Sequence, residues 1–443
     1  MKVLFVVTAF YPEQAIGSIR ITKFAKHLTR SGVDVSVISL APPPWAARDE
    51  TLWFPELRDM RWDTIDQSPL FKNVFQRARI ATIGTGSAIG RVPSQQSRPT
   101  LKSRIRQNAH LAYTMLKALD WSYRVRRHAK KHFANERFDI LYCSYPSLAS
   151  PFSAILLKKM GIARFLVTDF RDPIYVAYSA SVNVRRWIQR YLIKKSDLRV
   201  YVSTGQRDAM IPRPDEAHDI VLNNGYDPED ALGIEPSPEP GEDRRALRFV
   251  YTGSVYGGKR DLGPFFSAMS AVIHKTRHTP ETVVFEYAGG EGKTFREYAR
   301  SFGLEHRVID HGRLSRTDAL RLQKSADICL LATWNTEAER GVLSGKVFEY
   351  FMLRKPILTI VSGDRSGSEI GRIIHRLGAG HCFECATPER QPDLEEWLSS
   401  ALDEKLSKGR LSSNYDERVD EFNLVKISEN LRRKMAALLL AES

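Results

Sequence analysis

The sequence predicts an α/β protein built from two doubly wound, Rossmann-like domains. Short apolar runs rich in Val, Ile and Leu alternate with amphipathic helical patterns over residues 2–203, and the alternation starts again over residues 247–361. An acidic segment rich in Pro and Gly, residues 227–245, separates the two sets. At 443 residues the chain is also too long for one ordinary core. The expected domains are therefore 1–227, with an irregular and basic helical insertion over 41–135, and 246–410. Residues 228–245 link them. A last helical segment, 411–443, is expected to pack back on the first domain.

In order along the chain, residues 2–8 (KVLFVVT) form the first expected strand. A loop runs through Tyr11-Pro12 to Gly17-Ser18, and a helix starts near Ile19. Its Ile21, Phe24, Ala25 and Leu28 keep helical spacing, and Ser31-Gly32 stops it. Residues 33–38 alternate into a second strand, which completes the unit that opens a parallel sheet. The rhythm returns at 138–143, 163–168 and 199–203. In the second domain strands are expected at 247–251, 283–287, 308–310, 328–331 and 356–361.

Residues 41–100 break the pattern and are rich in Pro, Trp, Gly and Ser, notably at 42–45 and 84–87. A structureless stretch of that length inside a domain usually has a function. A helix follows from Leu101 to about Phe133. Leu101, Ile105, Ala109, Ala112, Leu116, Leu119 and Tyr123 step by threes and fours as one apolar stripe. Lys102, Arg104, Arg106, Lys117, Arg124, Arg126, Arg127, Lys130 and Lys131 surround it, with Asp120 nearly the only acid. Such a helix suits an anionic membrane surface. The plainer expectation is that its stripe packs on the domain core and its charges face water, with His110 and His128 solvated.

Composition narrows the class. Hydrophobic content of 42% and charged content of 27% describe a globular protein. No run approaches the roughly 20 apolar residues that cross a bilayer. The N-terminus reads as a strand and not as an export signal, so a cytoplasmic location is expected. Cys143 and Cys329 sit in strand-like contexts, and Cys382 and Cys385 form a lone C-x-x-C, so no metal or redox role is assigned. Lys and Arg outnumber Asp and Glu 66 to 52, a net +14. That surface attracts nucleic acid, anionic lipid or phosphorylated ligands, and charge alone does not choose among them.

Residues 332–360 are the most informative. Ser344-Gly345 forms a small-residue turn, Lys346 opens a helix, and Glu349 follows one turn later. Free amides and the positive end of a helix dipole make such a turn an anion site, to which Lys346 adds a full charge. Glu349 is placed to accept hydrogen bonds from ribose hydroxyls. The alternative is an ordinary helix start with a solvated lysine. Gly253, Gly257 and Gly258 stand before the paired cations Lys259 and Arg260, a costly way to build a simple surface turn. Asp169, Arg171 and Asp172 follow a strand, at the edge where parallel sheets place ligands.

Taken in order, five places resemble GT-B glycosyltransferases of the large retaining family 4 type. They are the TAFYPEQAIGSIR loop, Asp169-Phe170-Arg171-Asp172 (a D-x-R-D pattern), Asn224-Gly225-Tyr226-Asp227, Tyr251-Thr252-Gly253-Ser254, and Ser344 through Tyr350. The resemblance covers most of the chain and is weakest over 41–135. It implies a GT-B fold with two domains facing a central cleft, and a nucleotide-diphosphate sugar as co-substrate with no cofactor and no metal site. Gly253 and Ser254 would let the backbone approach the diphosphate, and Lys259 or Arg260 would neutralise it. Ser344, Gly345 and Lys346 would hold phosphates or sugar, Glu349 would bind ribose, and Gly17 would let the first domain approach the donor. Asp169, Arg171 and Asp172 would orient acceptor or sugar hydroxyls. The implied acceptor is a glycan or polyprenyl-linked glycan of surface polysaccharide synthesis, at the inner membrane face.

One departure stands out. Family members often have a second glutamate eight positions before the ribose-binding one, and here that position is Gly341. Glu337 and Glu339 lie just upstream, and Glu339 is the candidate replacement. The alternatives are a non-catalytic GT-B scaffold subunit, a nucleotide-sugar 2-epimerase, for which the acids and histidines find no good match, and a nucleic-acid binder. The last is not expected, because the cations lack the aromatic interleaving of single-strand binders.

Overall fold

The computed structural model describes residues 1–14, 16–42, 46–71, 101–174, 181–236, 246–256 and 259–440. The expectations for residues 43–45 and 84–87, for Gly257 and Gly258, and for 237–245 of the linker lie outside these. The chain forms two compact units.

The first unit is a seven-stranded sheet of β1 (Lys2–Val7), β2 (Asp34–Leu40), β3 (Trp62–Ile65), β4 (Phe138–Tyr145), β5 (Ala163–Phe170), β6 (Leu198–Tyr201) and β7 (Asp219–Val221). The order is β3-β2-β1-β4-β5-β6-β7 and every pairing is parallel. Apolar residues fill both faces of the central strands, as a sheet covered on both sides requires. Leu4, Val6, Leu141 and Cys143 join one core layer, and Val3, Phe5, Ile140 and Tyr142 the other. The helices are α1 (Ile16–Arg30), α2 (Leu101–His132), α3 (Ala149–Lys159), α4 (Val182–Lys195) and α5 (Thr204–Met210).

Several expectations change here. The helix α1 starts at Ile16, so Gly17 lies in its first turn and not in the preceding loop. Strand β5 extends through Phe170, which places Asp169 inside the sheet with 0% exposure. Within the irregular insertion β3 adds an edge strand to β2, and Trp62 Nε1 donates to Ser39 Oγ at 2.8 Å. The expected stripe of α2 does not face the core. Leu111, Ala118, Trp121, Val125 and Ala129 are buried, while Ile105, Leu116, Leu119 and Tyr123 are exposed. The reason is local. Trp121 fills the space above the sheet edge and donates Nε1–H to the carbonyl of Ile65 at 2.9 Å, a buried bond that fixes the rotation of the helix.

The second unit has six parallel strands: β8 (Leu247–Thr252), β9 (Val283–Ala288), β10 (Val308–Asp310), β11 (Ile328–Trp334), β12 (Ile357–Ser362) and β13 (Gly380–Glu384). Their order is β10-β9-β8-β11-β12-β13. Its helices are α6 (Gly263–Thr276), α7 (Gly292–Arg300), α8 (Arg316–Ser325), α9 (Gly345–Met352), α10 (Glu369–Arg376) and α11 (Gln391–Lys408). The last helix, α12 (Leu424–Leu440), belongs to the first unit, where Leu424, Ile427, Leu431 and Met435 join the core layer of Phe24 and Leu28.

Candidate functional site

Each sheet reverses its strand order once, between β1 and β4 and between β8 and β11. Open parallel sheets take ligands beyond the carboxyl ends of the strands at that reversal. The residues singled out from sequence gather at these two places.

In the second unit, β8 ends at Thr252 and the chain turns at Gly253, whose φ of +125° an L side chain rarely adopts. Ser254 Oγ then donates to the Glu291 carboxylate, which also accepts the Val255 amide at 2.8 Å. The Ser254 carbonyl accepts from Tyr251 Oη at 2.8 Å and Arg260 Nη1 at 2.9 Å. The hydroxyl and amide of this turn are thus engaged by a carboxylate of the chain itself. Arg260, buried, reaches across with Nη2 3.5 Å from Ser344 Oγ.

Ser344 precedes α9 with no side-chain cap, and outside the adjoining residues and the helix's own backbone nothing lies within 4 Å of where a Cβ on Gly345 would stand. The helix therefore starts open, with its first amides directed outward. Lys346 Nζ lies 3.0 Å from Glu349 Oε2. Gln323, at the end of α8, donates to the same oxygen at 2.7 Å and to Thr252 Oγ1 at 2.9 Å. That amide ties the end of β8 to the first turn of α9 and orients the Glu349 carboxylate. Burial disfavours the charged form of Glu349, but Lys346 and Gln323 more than offset it, and the carboxyl titrates below its ordinary range.

The glutamates upstream are occupied. Glu339 pairs with Lys259 at 2.5 Å, and Glu337 lies between Arg340 and Arg365. Lys259 also sits 3.8 Å from the centroid of the Trp334 ring. Gly341 has φ +67°, a turn position that favours glycine, so the residue standing in the usual glutamate position serves the backbone. Glu339, the candidate catalytic carboxylate, is here the ion-pair partner of Lys259.

In the first unit, Arg20 of α1 is the hub that sequence reasoning missed. Its Nε and Nη2 hold both oxygens of Asp169 at 3.0 and 3.2 Å, and it donates to the carbonyls of Leu222 and Asn223 at 2.9 and 2.8 Å. Burial alone lowers the Arg20 pKa, and Asp169 more than restores it. Asp169, expected to orient acceptor or sugar hydroxyls, is buried here and anchors Arg20. Arg171 lies beside it: its Nε donates to Ser144 Oγ at 2.9 Å and to the Tyr145 carbonyl at 3.2 Å. Its guanidinium covers Gly17, where a Cβ would stand 2.5 Å from Nη1. Asp172 follows, exposed, on the loop after β5. Gly17→Ala should displace the Arg171 head, a flexible end that can move, and so lower catalytic turnover with little loss of stability. Equal turnover with an unchanged melting temperature would free Arg171 from any role.

The residues missed from sequence, Arg20, Glu291, Gln323 and Trp334, are of two kinds. Glu291 and Trp334 stand at or just past strand ends, a signal that strand boundaries drawn a few residues short had hidden. Arg20 and Gln323 act across the tertiary fold from inside helices, where sequence gives them no mark.

Two open parallel sheets with ligand-type clusters beyond their strand ends define the GT-B class of α/β protein. Residues 17–224 match the family described as the glycosyl transferase 4-like domain. That match lies within the first half of the chain, in a two-domain GT-B fold. No curated protein sequence matches the chain. Among solved structures it is similar to the apo form of the lipopolysaccharide outer core galactosyltransferase WaaB, at 14% identity over 99% of both chains with a TM-score of 0.56. It is similar also to the structure of trehalose-6-phosphate from Escherichia coli bound with UDP-2-fluoro glucose, at 12% identity over 98% and 99% with a TM-score of 0.59. A putative UDP-N-acetylglucosamine 2-epimerase from Listeria monocytogenes aligns at 11% identity over 99% and 97%, with a TM-score of 0.53. At these identities the likeness speaks for the fold alone.

Proposed function

We propose that the protein transfers a sugar from a nucleoside diphosphate sugar to a glycan or lipid-linked glycan. The observation that carries this reading is the open first turn of α9, where Lys346 pairs with Glu349 and Arg260 reaches Ser344, at the strand reversal of the second sheet. A diphosphate seated there would take the Lys346 ammonium and the Gly345 amide, with the buried Arg260 charge behind it. The ribose hydroxyls would donate to Glu349, which Gln323 already holds in place. The family match over the first half supports sugar transfer over epimerisation, which the fold alone does not separate.

The chemistry needs little from the protein beyond placement and charge. The acceptor oxygen attacks the anomeric carbon on the face from which the diphosphate departs. The bond to the leaving oxygen breaks, and the acceptor proton passes to that oxygen, so the configuration is retained. Fixed cations around the leaving group supply the stabilisation, which makes the transfer metal-independent in this reading. Arg171 and Asp172 of the first unit are the polar groups assigned to acceptor or sugar hydroxyls. The natural place for such an acceptor is the cytoplasmic side of a membrane.

Thermal-shift screening against UDP-, GDP- and ADP-sugars tests the reading. One nucleotide should raise the melting temperature, and no response to any of them at millimolar level would refute it. Glu349→Gln should weaken that donor several-fold, less than loss of a cation. The same carboxylate gives a pH signature. Because its pKa is depressed on folding, its stabilisation is fully present above the ordinary value of 4.5 and is lost as pH falls below it. Wild type and Glu349→Gln should therefore differ in unfolding midpoint at neutral pH, and the difference should shrink as pH falls below the ordinary carboxyl value.

A further inference from the structure

We propose that Trp334 binds the diphosphate of the donor directly, through its indole N–H. The residue ends β11, the strand beside β8 at the reversal of the second sheet. Cations and a second aromatic ring surround it. Lys259 Nζ stands 3.8 Å from the centre of the ring, and the Tyr256 ring meets it edge-on at 6.0 Å. The guanidinium carbon of Arg260 lies 5.8 Å from the Trp334 ring centre and 4.5 Å from that of Tyr256. Tyr256 holds its place at φ +52°, a left-handed conformation uncommon for a bulky side chain. Backbone strain of that kind collects at ligand sites.

Two donors in this cluster are unanswered. Trp334 Nε1 and Arg260 Nε are both buried, and neither has a hydrogen-bond partner among the described residues. Arg260 as a whole is only 9% exposed, and its other nitrogens serve the Ser254 carbonyl and Ser344 Oγ. A buried N–H without a partner is costly, and native structures keep few of them. An oxygen-bearing ligand seated at the start of α9 would match both.

The surroundings select the group that Trp334 meets. Two N–H donors beside two cations, one of them buried, fit an anion with several oxygens, and a phosphoryl group is such an anion. A sugar hydroxyl would leave the Arg260 charge unanswered. A stacked base would have to displace Lys259 from the indole face. This role deepens the sugar-transfer reading and rests on it, adding a neutral donor to the cations already assigned.

Two changes at position 334 test it, with UDP, GDP and ADP, their sugar derivatives and the free nucleosides as probes in calorimetry. Trp334→Phe keeps an aromatic face for Lys259 and removes the N–H. Benzothienylalanine at the same position keeps the bicyclic shape as well and still lacks the N–H. Both should weaken the nucleoside diphosphate that binds wild type, and its sugar derivative, by roughly ten-fold or more. Binding of the free nucleoside should not change. The indole N–H has no partner in the free protein, so the benzothienylalanine protein should melt at the wild-type temperature. In wild type labelled with 15N at its seven tryptophans, one indole proton should move downfield on addition of the diphosphate. That signal should be the one missing from both altered proteins. Wild-type affinity for the diphosphate without the N–H, or a loss confined to the sugar derivative, would overturn the role of Trp334 alone. A wild type that binds none of the nucleotides would overturn the sugar-transfer reading with it.

Discussion

Asp169→Ala should destabilise the first domain by about 3–5 kcal/mol, the cost of leaving one partner of a buried ion pair unmatched. Arg20 is 3% exposed and Asp169 is fully buried. Without the carboxylate the guanidinium would keep its bonds to the carbonyls of Leu222 and Asn223 but carry an uncompensated charge inside the sheet. Those carbonyls belong to the chain just after β7, so the same loss would loosen the end of the first unit. Urea unfolding, followed by a probe of the first domain, reads the effect. Asp169→Asn, which keeps hydrogen-bonding capacity, should cost less than the alanine variant. A loss below about 1 kcal/mol for Asp169→Ala would mean that water or a neighbouring group reaches Arg20, and the buried hub would be wrong.

Lys346→Ala should weaken binding of the donor nucleotide by about 1.5–3 kcal/mol, roughly ten- to a hundred-fold, the range for a hydrogen bond to a charged group. The ammonium now lies against Glu349. A bound diphosphate would share it, and the carboxylate would turn to ribose. The expected signature is selective: the nucleoside diphosphate should lose more affinity than the nucleoside alone. Stability should change little, because the pair is part exposed and such pairs contribute modestly. Equal losses for nucleoside and diphosphate would point to a disturbed helix start and not to a missing phosphate contact.

Periodicity and turn residues made the sheet architecture legible. Runs such as KVLFVV and ILTIV are apolar on both faces, and only a doubly covered parallel strand uses that pattern. Three of the four short edge strands were not visible, β10 being the exception. Strands β3, β7 and β13 have three to five residues, too few for alternation to stand out from loop composition. The rotation of α2 was misread for a physical reason. Two apolar stripes occupy the helix, and the bulky Trp121, not the longer row of leucines, decides which one is buried. At the site, sequence marked the residues of turns and helix starts, such as Gly253, Ser344, Lys346 and Glu349. It could not mark the side chains that reach them from other elements. Gln323 lies 26 residues from Glu349 in sequence, and Arg20 lies 149 from Asp169. Asp169 itself looked like a loop acid only because β5 runs two residues further than its apolar core suggests.

The most direct measurement is a crystal structure with a bound nucleoside diphosphate. The account predicts the diphosphate within hydrogen-bonding distance of Lys346 Nζ and the Gly345 amide, with ribose hydroxyls on Glu349. A nucleotide bound elsewhere, with Lys346 still paired to Glu349 and the start of α9 empty, would contradict it.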